Sequence, residues 1–203
     1  SQVWLADDAT GAGKLTHLKE WWDLVISEGK KLGYHVHADK SWLILKKTQD
    51  SELAQEIFQN SLINITTSGK RHLGAALGST DFKTEYIKSK VDKWCDEIKN
   101  LAEIAKSQPH AAYSAYTHGQ QHKYRYFLRT INNIEDDLKP LDEAITKILI
   151  PSLTGFEVTP AERDLLALPV RSGGLGIDKV SENANNEFER SLSITDPLAA
   201  IIA

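Results

Sequence analysis

Two adjacent aspartates, Asp7 and Asp8, follow a short apolar run at residues 3–6, close to the start of the chain. Such a run predicts a short buried strand, and the two carboxylates would then lie at its tip. Negative charge is costly to hold there without a cation, and carboxylate oxygens are ligands that Mg²⁺ prefers. Adjacent residues on a strand point in opposite directions, so only one of them would ligate strongly. The pair therefore predicts either part of a metal site or, more commonly for Asp-Asp, a turn or a helix cap.

The residues that follow, Gly11, Gly13 and Lys14, resemble the end of a phosphate-binding loop. A P-loop has four residues between its first glycine and the Gly-Lys pair, and a serine or threonine after the lysine. Here a single residue separates Gly11 from Gly13, and Leu15 follows Lys14. Both requirements fail, so residues 11–14 are predicted to form a flexible turn between a strand and a helix.

The composition is that of an ordinary folded chain of 203 residues, with 41% hydrophobic and 26% charged residues, enough for one large domain or two small ones. The formal net charge of −4 argues against attraction of the whole surface to nucleic acid or to an anionic membrane. The single cysteine, Cys95, leaves no internal disulfide and favours an intracellular location, cytoplasmic or nuclear. No apolar run approaches the ~18 residues of a membrane span, so no membrane partner is expected. The absence of methionine and the apolar start favour a piece of a longer protein.

Residues 1–78 carry mixed strand and helix signals. From residue 15 to residue 32, apolar side chains recur at spacings of three and four, which predicts a helix that Gly33 ends. Strands are predicted at residues 34–36 and 42–45 around a turn, followed by a short helix at residues 51–59. A hairpin is predicted within residues 63–77, turning at Ser68-Gly69.

Residues 79–155 predict a small bundle of three helices. Apolar seams run through residues 87–105, 113–131 and 134–148, each close to a 3.5-residue repeat, and they must bury against each other. A capping box is predicted at Asn132 and Glu135, where the third helix would start. The residues expected to be largely buried are Trp94, Leu101, Phe127, Leu141 and Ile145.

Residues 156–203 predict shorter helices around a turn-rich loop at residues 171–176. Thr159 is placed as an N-cap, with Pro160 at the first helical position and Glu162 closing a capping box. Two short helices are predicted after the loop, one from Ser181 and one from Asp196.

Three segments, taken in order, resemble motifs of reverse transcriptases. "WLADD" at residues 4–8 resembles the tip of the polymerase palm hairpin, usually written Tyr-x-Asp-Asp. "ADKSWLILK" at residues 38–46 resembles the next palm motif, with its lysine before an apolar strand. "HLGAALG" at residues 72–78 resembles the hairpin called the primer grip. The ordered set is far more specific than any one of the three.

The continuation resembles the region after the palm in retrotransposon-encoded reverse transcriptases of animal genomes. The segments that carry this likeness are "KVDKWCDEIKNLAEIAKSQPHAAYSAYTHG", "RTINNIEDDLKPLDEAI", "IPSLTG" and "ERDLLALPVRSGGLGI". The resemblance covers essentially the whole chain and implies an α+β fold that is predominantly α. It implies the C-terminal part of the palm in residues 1–78, a three-helix thumb in residues 79–155 and a short helical connection in residues 156–203.

The resemblance also implies catalytic roles. Asp7 would be the main ligand and Asp8 its helper for the two Mg²⁺ ions of the full-length enzyme. Lys40 lies in the motif whose lysine assists the leaving pyrophosphate, and Lys46 is a competing match. Leu5 stands where the family usually has a tyrosine, which removes a hydroxyl near the nucleotide.

Contacts to a primer-template are implied for two segments. Basic and aromatic residues interleave at residues 118–129, which fits either a helix that follows a nucleic-acid backbone or a solvated helix face with tyrosines in the core. The residues expected at nucleic acid are Lys70, Arg71, Leu73 and Gly74 at the grip, and Lys123, Arg125 and Arg129 in the thumb.

Only six residues precede Asp7, so the family's first metal-binding aspartate and its nucleotide-binding motif do not lie within these 203 residues. The resemblance therefore implies an RNA-directed DNA polymerase whose remainder is a partner of this chain, and the isolated chain is expected to be inactive. The alternative is a non-enzymatic module, binding nucleic acid or serving a structural role, that was co-opted from a reverse transcriptase.

Overall fold

The computed structural model describes residues 1–202 as a mostly helical α+β chain, with 66% helix and three sheets of two strands each. The predicted class, α+β and predominantly α, is confirmed at this level. Residues 83–197 form one compact unit, and residues 1–82 make up most of a second unit. Within the described residues, no helix has the length and the apolar content that crossing a membrane requires.

The unit of residues 1–82 contains three separate strand pairs and two helices. Strands β1 and β2 pair antiparallel, β3 and β4 pair in parallel with α2 as the crossover, and β5 and β6 pair antiparallel. The elements are β1 (Gln2–Leu5), β2 (Asp8–Gly11), α1 (Leu15–Gly29), β3 (Trp42–Ile44), α2 (Ser51–Phe58), β4 (Asn64–Thr66), β5 (Gly69–His72) and β6 (Ala75–Gly78).

The core of this unit lies where α1 and α2 pack against the parallel sheet. Trp22 of α1, Leu43 of β3 and Phe58 of α2 belong to one buried cluster, together with Leu45 and Ala54. The spacing of apolar residues thus predicted α1 and most of the face that it buries, although Leu32 at the end of that face is exposed. The short helix expected at residues 51–59 corresponds to α2. The prediction of a stop at residue 33 is also confirmed, because the glycine there ends the 3₁₀ turn after α1 at a φ of 79°.

Strand β1 exists as predicted, but the prediction that it is buried was wrong. Val3, Trp4 and Leu5 are 49%, 46% and 58% exposed. The reason is that β1 pairs only with β2, and a two-stranded ribbon leaves both of its faces uncovered unless another element packs on it.

Two further strand predictions need correction. Residues 34–36 are not a strand, because the Tyr34 N–H donates to the carbonyl of Gly29 and closes the end of the helical segment. The hairpin turns at Leu73-Gly74 instead of Ser68-Gly69. Leu73 and Gly74 have φ values of 47° and 91°, the left-handed pair that a two-residue type I′ turn requires.

The unit of residues 83–197 is helical. Two of its long helical segments contain a π-helical turn, and we call them the second rod (residues 109–130) and the third rod (residues 135–154). The segment Tyr116–Gln120 joins α4 to α5, and the segment Ile145–Leu149 joins α6 to α7. The helices are α3 (Thr80–Ala105), α4 (Pro109–Ala115), α5 (Gln121–Thr130), α6 (Glu135–Ala144), α7 (Ile150–Thr154), α8 (Pro160–Ala167) and α9 (Val180–Ile202).

The three predicted seams are buried along most of their length. Trp94 of α3 packs against Tyr124 and Phe127 of α5, with ring centroids 4.9 Å and 5.1 Å apart. Of the five residues expected to be largely buried, Trp94, Leu141 and Ile145 are buried. Leu101 and Phe127 are only half-buried, so that part of the prediction was wrong.

The seams drift because a straight helix has 3.6 residues per turn, and because π turns add a residue. On α3 the buried position passes from the expected Leu101 to Ala102. On the third rod, Ile148 is exposed and Leu149 is fully buried, directly within the π-helical segment. A fixed repeat therefore misses single positions along a seam, most clearly at the end of the third.

One of the two predicted capping boxes forms. The Glu162 N–H donates to the Thr159 hydroxyl, and the Glu162 carboxylate accepts from the Thr159 N–H at 2.8 Å, an arrangement that lowers the pKa of Glu162. The box at Asn132 and Glu135 does not form, because α6 starts after Ile134 without a side-chain cap. Asn132 instead accepts a hydrogen bond from the Lys83 ammonium group at 3.1 Å.

The last helix also differs from prediction. The two short helices expected from Ser181 and Asp196 are one continuous helix, α9, with Pro197 inside it. Proline lacks only one backbone donor, so a long helix can run through it at the cost of one hydrogen bond and a local bend.

Replacing Leu141 by alanine should lower the free energy of unfolding by about 2–5 kcal/mol, because its side chain is fully buried and leaves a cavity. A denaturant melt measures this. Leu165→Ala on α8 is the control, since Leu165 is 51% exposed and its loss should cost well under that amount. A loss below about 0.5 kcal/mol for Leu141→Ala would mean that the third seam is not a core.

Candidate functional site

Asp7 and Asp8 lie at the tip of the β1–β2 hairpin, and both are exposed. The turn is tight because Leu5 pairs directly with Asp8, which leaves Ala6 and Asp7 as its two central residues. Ala6 adopts a φ of 54°, a left-handed conformation that glycine takes far more readily than alanine. The residue directly before the candidate metal ligands is therefore strained.

Aromatic side chains support this tip from one side. The Tyr34 hydroxyl donates to the carbonyl of Asp7 at 3.0 Å, and the Tyr34 ring meets Trp4 edge-on with centroids 5.4 Å apart. The Tyr34 contact uses the backbone of Asp7 and leaves its carboxylate available.

The tip supplies part of the ligand set of a magnesium site. Mg²⁺ takes six oxygen ligands in near-octahedral geometry, with carboxylates and waters among them. Asp7 and Asp8 supply two carboxylates, and in the described part of the chain no group of three or more His, Cys, Asp or Glu side chains is placed to hold a metal ion. These residues alone do not fit the two ions that the resemblance implies.

The structure joins the Asp-Asp hairpin to the second hairpin, β5–β6. Thr10 of β2 and His72 of β5 are hydrogen-bonded, with Oγ1 and Nε2 3.3 Å apart. These two residues are 62 positions apart in the sequence. Two of the three motifs noted in the sequence therefore lie next to each other.

The predicted grip residues occupy β5 and its turn. Leu73 and Gly74 form the turn, and the Leu73 side chain is 48% exposed. The Lys70 ammonium group lies 3.8 Å from the centre of the Trp42 ring, which fixes it by a cation–π contact. Arg71 is exposed and points to the opposite face of β5, because successive strand residues alternate.

The two competing lysines of the middle motif are both exposed. Lys40 ends the 3₁₀ turn Ala38–Lys40 just before β3, and Lys46 follows β3. Among the described residues, no hydrogen bond or ion pair joins either lysine to Asp7 or Asp8. The structure therefore does not choose between them.

The three cations predicted to contact nucleic acid from α5 are all engaged by carboxylates of the same unit. Lys123 lies 3.2 Å from Glu97 of α3. The other two reach the far side of α5: Arg125 lies 2.8 Å from Asp178, and Arg129 lies 2.9 Å from Glu187 of α9. The structure thus shows the three cations as ion-paired groups.

The second rod also carries buried tyrosines, which explain part of the alternation of basic and aromatic residues seen in the sequence. The hydroxyl of Tyr116 has no hydrogen-bond partner among the described residues, and burial raises the pKa of both Tyr116 and Tyr124. These two tyrosines belong to the core, whereas Tyr126 is 40% exposed.

Two polar residues that the sequence did not single out fix the segment before α9. Arg163, only 5% exposed, donates to Thr146 and to the carbonyls of Ile177 and Asp178 at 2.8–3.1 Å. Asp142 accepts from the backbone N–H groups of residues 180 and 181 and so caps α9 from a different helix. Neither residue has a distinguishing local pattern, because each acts across the fold.

No protein-family model, no curated protein and no solved structure matches this chain. The likeness to reverse transcriptases therefore depends on the ordered motifs of the sequence.

The ion pair at Glu97 should make stability depend on pH. Burial alone would raise the pKa of Glu97, but hydrogen bonds from Gln120 and Lys123 outweigh it, and the pKa is lowered. A lowered pKa in the folded state adds stability above the unfolded pKa of about 4.3, and that stability is lost as the pH falls through the folded pKa.

We therefore expect wild type to exceed Glu97→Gln in unfolding free energy by up to about 1 kcal/mol at pH 6, and the difference to shrink towards pH 3. Denaturant melts across this range measure it. Asp92→Asn on the same helix is the control, because Asp92 makes no ion pair among the described residues. A difference that stays constant with pH would contradict the assignment.

Proposed function

We propose that the chain is the C-terminal part of a retroelement reverse transcriptase. In this proposal residues 1–78 are the end of the palm, residues 79–155 the thumb and residues 156–203 the following connection. The complete protein would transfer nucleotides to a primer 3′-hydroxyl, with Mg²⁺ bound in part by Asp7 and Asp8. Primer-template nucleic acid and the rest of the polymerase would be its partners.

The meeting of the two hairpins is the observation that carries the proposal. A polymerase needs its metal-binding aspartates close to the segment that holds the primer end, since the metals act on the primer hydroxyl. The Thr10–His72 contact brings the Asp-Asp tip and the Leu73-Gly74 turn onto neighbouring hairpins. Motif order in the sequence alone does not require that proximity.

The 203-residue polypeptide is expected not to synthesise DNA alone, because Asp7 and Asp8 are an incomplete ligand set. The chain's own contribution is then to bind and position nucleic acid. Template-directed incorporation by the pure polypeptide, abolished by Asp7→Ala, would show that it does more than this.

A second candidate is a non-enzymatic module. The ion pairs of Lys123, Arg125 and Arg129 favour it, because cations that already hold carboxylates can serve the fold instead of a ligand. Nucleic-acid binding separates a binding module from a purely structural one.

Binding should be independent of sequence, weak and steeply reduced by salt, with a Kd of roughly 10⁻⁴–10⁻⁶ M. The double variant Arg125→Gln/Arg129→Gln should lower the slope of log K against log salt by about one unit per lost phosphate contact. The fold should survive, because exposed ion pairs are worth only about 0–1 kcal/mol each. A fluorescence titration of a labelled primer-template at several salt concentrations measures both quantities.

The matched control is Lys139→Gln/Lys147→Gln, which removes the same charge from two exposed lysines of the third rod. It should leave the salt slope unchanged. If wild type does not bind at low salt, the structural module becomes the better account. Equal slopes for wild type and the arginine double variant would place the contact elsewhere.

A further inference from the structure

The side of α5 that carries Arg125 and Arg129 faces two carboxylates of the chain that follows. Asp178 Oδ2 lies 2.8 Å from Arg125 Nη2, and Glu187 Oε2 lies 2.9 Å from Arg129 Nε. Charge-assisted hydrogen bonds of this kind are what a phosphate oxygen would make with the same arginines. Each carboxylate therefore occupies the position that a nucleic-acid phosphate would need.

The two carboxylates are held in place by the fold. The carbonyl of Asp178 accepts from the buried Arg163 guanidinium at 2.9 Å, which fixes the backbone next to the Arg125 pair. Asp142 caps the start of α9 through the backbone N–H groups of Val180 and Ser181, and so sets where Glu187 lies two turns later. The carboxylates are thus preorganised against the arginines.

The pairs remain open to exchange. Arg129 is 57% exposed and Arg125 is 38% exposed at the side chain, so both can be approached from solvent. A cavity of about 20 Å³ is lined in part by Arg125, Asp178 and Glu187. Glu187 would also retain a partner if Arg129 left it, because Arg190 lies 3.6 Å away.

We propose that Asp178 and Glu187 are an autoinhibitory pair that competes with nucleic-acid phosphates for Arg125 and Arg129. Binding then requires the phosphates to displace the carboxylates, which weakens the complex and reduces its dependence on salt. The inference rests on the proposed function, because it regulates the same binding surface.

The test compares wild type with Asp178→Asn/Glu187→Gln in the primer-template titration. The variant keeps the side-chain shapes and the Asp178 carbonyl, and it removes two competing charges. Its affinity should rise roughly three- to twenty-fold, the range expected for two exposed ion pairs. Its salt slope should steepen, because phosphates that reach the two arginines no longer have to displace a carboxylate.

The matched control is Glu157→Gln/Glu189→Gln, which removes equal charge from two exposed carboxylates that make no ion pair among the described residues. A rise in affinity for this control equal to that of the test variant would overturn the proposal in favour of net charge alone. Adding Arg125→Gln/Arg129→Gln to the test variant should abolish the gain. A gain that persists would also overturn it.

The remaining outcomes separate this inference from the proposed function. If wild type and the test variant bind with the same affinity and slope, nucleic-acid binding stands and the competition is rejected. If the test variant binds and wild type does not, the competition is supported in its strongest form. If neither binds at low salt, nucleic-acid binding by this chain fails and the inference fails with it.

Discussion

The side chains of Lys123, Arg125 and Arg129 each meet a carboxylate from another element of their own unit. A phosphate backbone that reaches α5 must therefore replace an existing partner at every one of these cations. In the proposed function, this competition acts at the contact surface itself, whereas the formal net charge of −4 acts on the whole chain. The ion pairs also tie α5 to Glu97 of α3 and to Glu187 of α9.

The placement of α9 depends on two buried polar interactions. The Arg163 guanidinium donates hydrogen bonds to Thr146 and to two backbone carbonyls. The Asp142 carboxylate accepts hydrogen bonds from the first N–H groups of α9. Buried charge is tolerated only where such partners exist, so these contacts fix the geometry around residues 177–181 closely. The orientation of Asp178 towards α5 follows from them.

The Asp-Asp hairpin, in contrast to the segment before α9, is not fixed by buried polar contacts. Its strand β1 is exposed, its turn contains the strained Ala6, and its carboxylates make no contact that completes a metal site. Strain at such a position persists only where neighbours hold it, and here the Tyr34 hydroxyl and the partner strand do so. In the proposed function these are features of a tip that meets its remaining ligands in the rest of the polymerase.

Local rules predicted much of this fold. The Thr159 capping box, the stop at Gly33 and the buried starts of the three seams all depend on neighbours within a few residues, and all are confirmed. The prediction that β1 is buried failed because it depends on which elements pack on the ribbon, and the partner of β3 is the distant strand β4. The drift of the third seam at Ile148 has a local cause, the π-helical turn. The sequence of one segment does not show which distant segment packs against it.

The residues of the candidate site also fall into two groups, those that local sequence predicted and those that distant contacts place. The resemblance implied Asp7 and Asp8 at a hairpin tip, and they lie there, whereas the turn of the second hairpin was expected at Ser68-Gly69 and lies at Leu73-Gly74. The contact between Thr10 and His72 and the ion pairs of α5 could not be predicted, since they join residues far apart in the chain. Arg163 and Asp142 were missed for the same reason.

Mapping the primer-template footprint on the protein tests the central claim most directly. In backbone NMR spectra recorded during a titration with the nucleic acid, the account predicts that amide shifts concentrate on residues 69–78 and on α5. The Asp-Asp tip should shift with the hairpin to which Thr10 joins it. Shifts confined to other surfaces, or none at low salt, would contradict the proposed function.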